Sequence, residues 1–173
     1  MTTAFVFPGQ GAQSIGMGKA LADAYPAAKA VFDEVDDALG EKLSTLIWEG
    51  EQDTLTLTQN AQPALMATSL AAMRALESEG VSIEDAAFVA GHSLGEYSAL
   101  AAAGSLSIRD AAVLLRTRGE AMQKAVPVGV AEQEGLRRGI IRPAAADEDA
   151  VGHASSPSCR RARTGPSGAG RPA

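Results

Sequence analysis

Val89-Ala90-Gly91-His92-Ser93-Leu94-Gly95-Glu96 is the stretch on which the fold turns. Ala86 to Ala90, just before the turn, is an apolar run of strand length; Leu94 to Ala103, just after it, reads as helix. Gly91-x-Ser93-x-Gly95 therefore lies in the strand–turn–helix setting that makes GxSxG a chemical hypothesis. A sharp turn there lifts the Ser93 hydroxyl off the sheet edge, and the two glycines keep the adjoining backbone free of side chains. The following helix aims its N–H groups and positive dipole end at any negative charge that develops. The competing reading is a small-residue turn with Ser93 as a helix N-cap; the context favours a nucleophile, with the amide of Leu94 as an oxyanion donor.

A serine nucleophile needs a base, usually histidine. The chain has two, His92 and His153. His92 adjoins the nucleophile on the turn, so its side chain should diverge from that of Ser93. His153 lies in VGHASSP, with no strand or helix pattern to hold it. The base is therefore expected to be missing from these residues.

Working outward, Ala4 to Phe7 is a second apolar run, stopped by Pro8-Gly9 and read as a buried strand. GQGAQSIGMG follows, with Gly9, Gly11, Gly16 and Gly18, but it has neither the GxGxxG nor the GK[ST] signature of nucleotide binding. Pro26 suits the first turn of a helix through Val31, Phe32 and Val35. Leu43 to Trp48 reads as a short helix ended by Gly50. Thr54 to Thr58 alternates like a strand, in a run too short to settle. Pro63 is expected to open a long helix with Met66, Leu70 and Met73 on one face and Gly80 at its end. Ser107-Ile108-Arg109-Asp110 has capping-box form and starts a helix to about Val126. Alternating strands and helices imply an α/β class with a parallel sheet.

On that last helix Ala111, Leu114, Leu115, Arg118 and Met122 are expected to share a face, with Arg116 pointing elsewhere. A guanidinium on a buried face needs an anion. Two partners remain open, a structural acid or a substrate carboxylate gripped by the planar fork.

Composition narrows the function classes. The 173 residues carry a formal charge of −6, which leaves no electrostatic footprint for nucleic acid. Cys159 alone excludes an internal disulfide framework and a Cys-rich zinc site. No apolar run spans a membrane and MTTAFVFPG lacks a basic signal-type start, so a cytoplasmic protein is the default. Residues 131–173 differ in kind. Ala, Gly, Pro, Ser and Arg make up 30 of these 43, lysine is absent, and Leu136, Ile140, Ile141 and Val151 are the only large apolar residues. Such a segment cannot offset its ordering entropy, so it is read as a disordered tail beside a body over residues 1–130. That body contains only two confident strands, too few for a complete parallel sheet.

FVFPGQGAQSIGMG, TQNAQPAL, GHSLGEYSALAAAGSLS and Arg118-Gly119, in this order, resemble the malonyl-CoA:acyl carrier protein transacylases. The resemblance covers residues 3–126. It implies a hydrolase-like α/β acyltransferase core whose ferredoxin-like subdomain is missing here. It also implies malonyl transfer from coenzyme A through a Ser93 ester to the thiol of acyl carrier protein, in fatty acid synthesis. By the same resemblance, the backbone N–H of Gln10 joins that of Leu94 in the oxyanion hole and Arg118 binds the malonyl carboxylate. Gln62 and His92 line the site; no metal or bound cofactor is implied, and the intact family member is a monomer. Leu94 in GHSLG is similar to malonyl-selecting members, and the start at residue 1 to the free-standing enzyme. The match stops near Val130, before the family's catalytic histidine, as a shifted reading frame in a GC-rich gene would produce. Negligible turnover is therefore expected. The other readings are an inactive fragment that binds coenzyme A or carrier protein, and a serine esterase.

Overall fold

A computed structural model of the chain describes residues 3–125. The two apolar runs form β1 (Ala4–Phe7) and β2 (Phe88–Gly91), paired in parallel with Ala4 opposite Phe88 and Phe7 opposite Gly91. Alternation along a strand sends neighbouring side chains to opposite faces. Phe7 is buried, and Phe5 and Val89 pack against the core on the face covered by α6 (Leu94–Ala102). On the opposite face Val6 is 74% exposed and Phe88 68%. Parallel sheets are ordinarily covered on both sides. Among the described residues the sheet has these two strands, and its second apolar face is uncovered.

Between the strands run α1 (Lys19–Ala24), α2 (Pro26–Leu39), α3 (Leu43–Glu49), α4 (Gln52–Thr56) and α5 (Thr58–Ser78), then a single 3-10 turn at Ile83–Asp85. The last described element is α7 (Ile108–Ala125). Pro26 sits in the first turn of α2, where its missing N–H costs nothing. The Ser107 hydroxyl accepts from the Asp110 amide at 3.0 Å and donates to its carboxylate, opening α7 as its sequence indicated. The core lies where α2, α5 and α7 meet, around Phe32, Val35, Met66, Leu70 and Leu115. Asp36, buried on α2, accepts from both the amide and the hydroxyl of Ser44 and faces Lys42 at 3.5 Å. It thereby serves the unpaired start of α3 from outside that helix.

Three expectations change. Thr54–Thr58 is helix, not strand: α4 ends at Thr56 and α5 starts at Thr58, with extended backbone at Leu57 between them. Burial of Leu55 among helices and a bond from Asn60 Nδ2 to the Thr54 carbonyl at 2.8 Å fold the segment back on itself. Pro63 does not open the long helix but lies inside it, fully buried, one turn after its start. The α7 face is rotated as well. Its buried residues are Ala111, Ala112, Leu115 and Gly119, while Leu114 and Met122 are exposed. Gly119 explains the rotation: a Cβ there would sit 2.5 Å from the Gln59 Cα and 2.8 Å from the Thr58 carbonyl. The contact surface is set by backbone against backbone at a residue that apolar periodicity ignores. The proposed tail at 131–173 lies outside the described residues.

Candidate active site

Ser93 stands at the end of β2 with φ 56° and ψ −108°, the one non-glycine residue with positive φ among those described. Such a conformation costs roughly 1–3 kcal/mol and persists only where the surroundings over-determine it. They do so here. The His92 amide donates to the Phe7 carbonyl at 3.1 Å, extending the parallel ladder to the edge of the turn. A Cβ on Gly91 would overlap the backbone of Gly95, and one on Gly95 would overlap the Phe7 carbonyl. Strand, turn and helix can approach this closely only with glycine at both positions. Ser93 occupies the N-cap position of α6, but its hydroxyl makes no capping bond to that helix. Leu94 is the first residue of that helix and is buried, and helix geometry leaves its N–H without an intrahelical partner.

The hydroxyl instead meets Arg118. Arg118 Nη2 donates to Ser93 Oγ at 3.0 Å and Nη1 donates to Gln62 Oε1 at 2.5 Å. Gln62 is buried, and its Nε2 donates to Thr58 Oγ1 at 3.0 Å and to the Met122 sulfur at 3.4 Å. Thr58 Oγ1 in turn donates to Gln10 Oε1 at 2.7 Å. One hydrogen-bonded chain thus joins Gln10 of the β1–α1 loop, the start of α5, and Arg118 of α7 to the serine. Among the described residues no carboxylate pairs with Arg118. Arg116, expected to point away, is the arginine with a structural acid: it bonds Asn60 Oδ1 at 2.5 Å and pairs with Glu41. Arg116 thus turns inward as well, while Arg118 keeps its place facing the serine.

His92 lies against the β1–α1 loop, where a Cβ on Gly9 would come within 2.5 Å of its Nδ1. No hydrogen bond links it to Ser93, in keeping with the divergence expected of adjacent residues on the turn. His153 lies outside the described residues. Of the residues singled out by sequence, Ser93, Arg118 and Gln62 are in direct contact, Gln10 joins through Thr58, and Leu94 and His92 flank the serine. Thr58 was missed, although it stands in the TQNAQPAL run; the packing role of Gly119 was missed too. Neither residue has an apolar or ionisable side chain to attract notice. Among the described residues no group of three His, Cys, Asp or Glu is placed to hold a metal, and no helix is long and apolar enough to cross a membrane.

The chain is similar to known proteins. The malonyl CoA-acyl carrier protein transacylase of Bacillus subtilis (strain 168) is 57% identical over 126 residues, which are 73% of this chain and 39% of that protein. Its counterpart in Salmonella typhimurium is 43% identical over 157 residues, 89% of this chain and half of the other. The crystal structure of the acyl-carrier-protein S-malonyltransferase from Bartonella henselae superposes with a TM-score of 0.72 at 63% identity, covering 75% of this chain and 41% of that one. A type II PKS acyl-carrier protein in complex with its malonyl-transacylase contributes a further match, with a TM-score of 0.68 at 43% identity, covering 73% of this chain and 40% of that one. The chain spans about two fifths to one half of the length of these relatives. The acyl transferase domain pattern itself matches residues 4–167, and on that match the chain belongs to the acyl transferase domain family.

Proposed function

We propose that this chain carries the nucleophile and the carboxylate clamp of a malonyl-CoA:acyl carrier protein transacylase. The observation that carries the reading is Arg118, bonded to Ser93 Oγ at 3.0 Å and to neutral Gln62, with no carboxylate of its own among the described residues. A half-buried guanidinium beside a strained serine calls for an anionic acyl donor. Ser93 Oγ attacks the malonyl thioester carbonyl, the C–S bond breaks, and coenzyme A leaves as its thiol. The oxyanion is received by the amides of Leu94 and Gln10. The carrier protein's phosphopantetheine thiol then attacks the ester and frees the serine. No bound cofactor enters these steps, and a cytoplasmic monomer suits them. A neutral ester would give Arg118 no counter-charge, which disfavours a general esterase.

A second reading rests on its own observation. Among the described residues the only side chain bonded to Ser93 Oγ is Arg118, which donates and cannot accept a proton. In this reading no base reaches the serine, and the chain binds the acyl donor with little turnover. The division at about residue 130 belongs to this reading, and resequencing the codons for Val128 to Glu132 tests it.

Incubation with malonyl-CoA or acetyl-CoA, followed by intact mass measurement of the chain and of added carrier protein, tests the assignment. Malonyl addition to Ser93 in preference to acetyl, absent in S93A, is the expected result. Equal labelling by both donors would remove the malonyl assignment.

A further inference from the structure

Thr58 belongs to neither the turn nor the clamp, yet the site runs through it. Its hydroxyl accepts from Gln62 Nε2 at 3.0 Å and donates to Gln10 Oε1 at 2.7 Å. Its amide, at the start of α5, donates to Gln123 Oε1 of α7 at 3.2 Å. Gly119 of α7 lies against its carbonyl, with no room for a Cβ.

The direction of this chain follows from charge. Arginine has donors and no acceptor, so Gln62 must turn its oxygen to Arg118 and its NH2 to Thr58. Thr58 Oγ1, accepting there, spends its single proton on Gln10. The orientation of an exposed side chain on the β1–α1 loop is thereby set by a guanidinium three hydrogen bonds away. Such chains polarise one another, and a half-satisfied chain around the buried Gln62 amide is costly.

We infer that Thr58 is a positioning residue that couples the Gln10 loop to the Arg118 clamp, so that oxyanion donor and carboxylate fork are held in one register. The inference rests on the malonyl-transfer reading for its consequence, but not for its geometry. Thr58 touches neither the serine nor, in this scheme, the substrate. It acts through Gln62 and Gln10.

The test uses the 173-residue chain as wild type, T58V, which keeps the shape and loses the hydroxyl, and T58S, which keeps the hydroxyl. Side-chain amide NMR spectra, assigned with Q62A and Q10A, report the hydrogen bonds directly. T58V is expected to move both glutamine signals and T58S to restore them. Calorimetric titration with malonyl-CoA and with acetyl-CoA reports the clamp. The malonyl preference is expected to fall about tenfold in T58V, the loss of one hydrogen bond in a charge-linked chain, and to return in T58S. Unmoved glutamine signals in T58V would overturn the coupling. Moved signals with an intact malonyl preference would overturn the positioning role. If wild type shows no malonyl preference, it is the malonyl reading that fails, and the glutamine signals alone then decide the coupling. Should T58V fail to fold, Q10L removes the terminal acceptor, and an unmoved Gln62 signal there would overturn the inference equally.

Discussion

Arg118 donates to the hydroxyl of Ser93 across 3.0 Å, although 25 residues and a helix separate them in the chain. In the same side chain a second nitrogen engages Gln62, so the planar fork is held at two points before any substrate arrives. A lysine could not hold both bonds at once.

R118K keeps the charge but cannot reach Ser93 and Gln62 at once. R118A loses the charge as well. Hydrogen bonds to charged groups contribute about 1.5–3 kcal/mol, so R118A is expected to lower the preference for malonyl-CoA over acetyl-CoA by roughly 10- to 100-fold. R118K should recover only part of it. Parallel titrations with the two thioesters measure the effect.

G95A tests the turn. Its Cβ would enter the space of the Phe7 carbonyl, so α6 must shift away from β1. A loss of at least about 1–3 kcal/mol is expected from overpacking, together with loss of Ser93 acylation. The urea midpoint and the mass of the acylated chain report the two separately. A mutant as stable as wild type would contradict the close approach.

The bare face of the sheet has a solution signature. Val6 and Phe88 are large, apolar and mostly exposed on adjacent parallel strands. Exposed apolar strands template association. The 173-residue chain should bind a hydrophobic dye and self-associate with rising concentration, and V6K/F88K should reduce both while leaving the helical signal unchanged. Dye fluorescence and sedimentation check this.

Tyr25 provides a pH marker. Glu79 hydrogen-bonds and repels negative charge on its phenol, which holds the pKa above the ordinary 10.0. Raised in the folded state, this group contributes stability fully below the ordinary phenol pKa, and the contribution is lost as pH rises through the raised value. E79Q should return the phenol to its ordinary range. Ultraviolet titration of the folded chain reads the difference.

Turnover separates the two readings. In the reading without a base, the chain with acyl carrier protein present transfers malonyl groups only slowly, because binding and oxyanion donors act alone. Imidazole added to the buffer should speed Ser93 acylation. Rapid turnover without it would place a base near Ser93.

What the sequence determined by itself was local. Gly91 and Gly95 bracket Ser93 within five residues, so the strand, the turn and the helix after it were legible from one short stretch. Pro26 and Ser107 marked helix starts for the same reason: backbone donors at a helix end are satisfied or spared by residues a turn away. The two strands of the described residues were legible too, as the apolar runs at Ala4–Phe7 and Ala86–Ala90.

Tertiary structure decided the rest. Thr54–Thr58 became helical because Leu55 found its burial among helices, and the five-residue pattern carried no information about that partner. The inward face of α7 was set by Gly119 meeting the start of α5, which gave Arg116 the structural acid and left Arg118 for the serine. Contacts such as Arg118 with Gln62, 56 residues apart, and Thr58 with Gln10, 48 apart, depend on how helices approach one another. Periodicity reports which side of a helix is apolar; it does not report where a glycine lets two backbones touch, and that contact placed Arg118 beside Ser93.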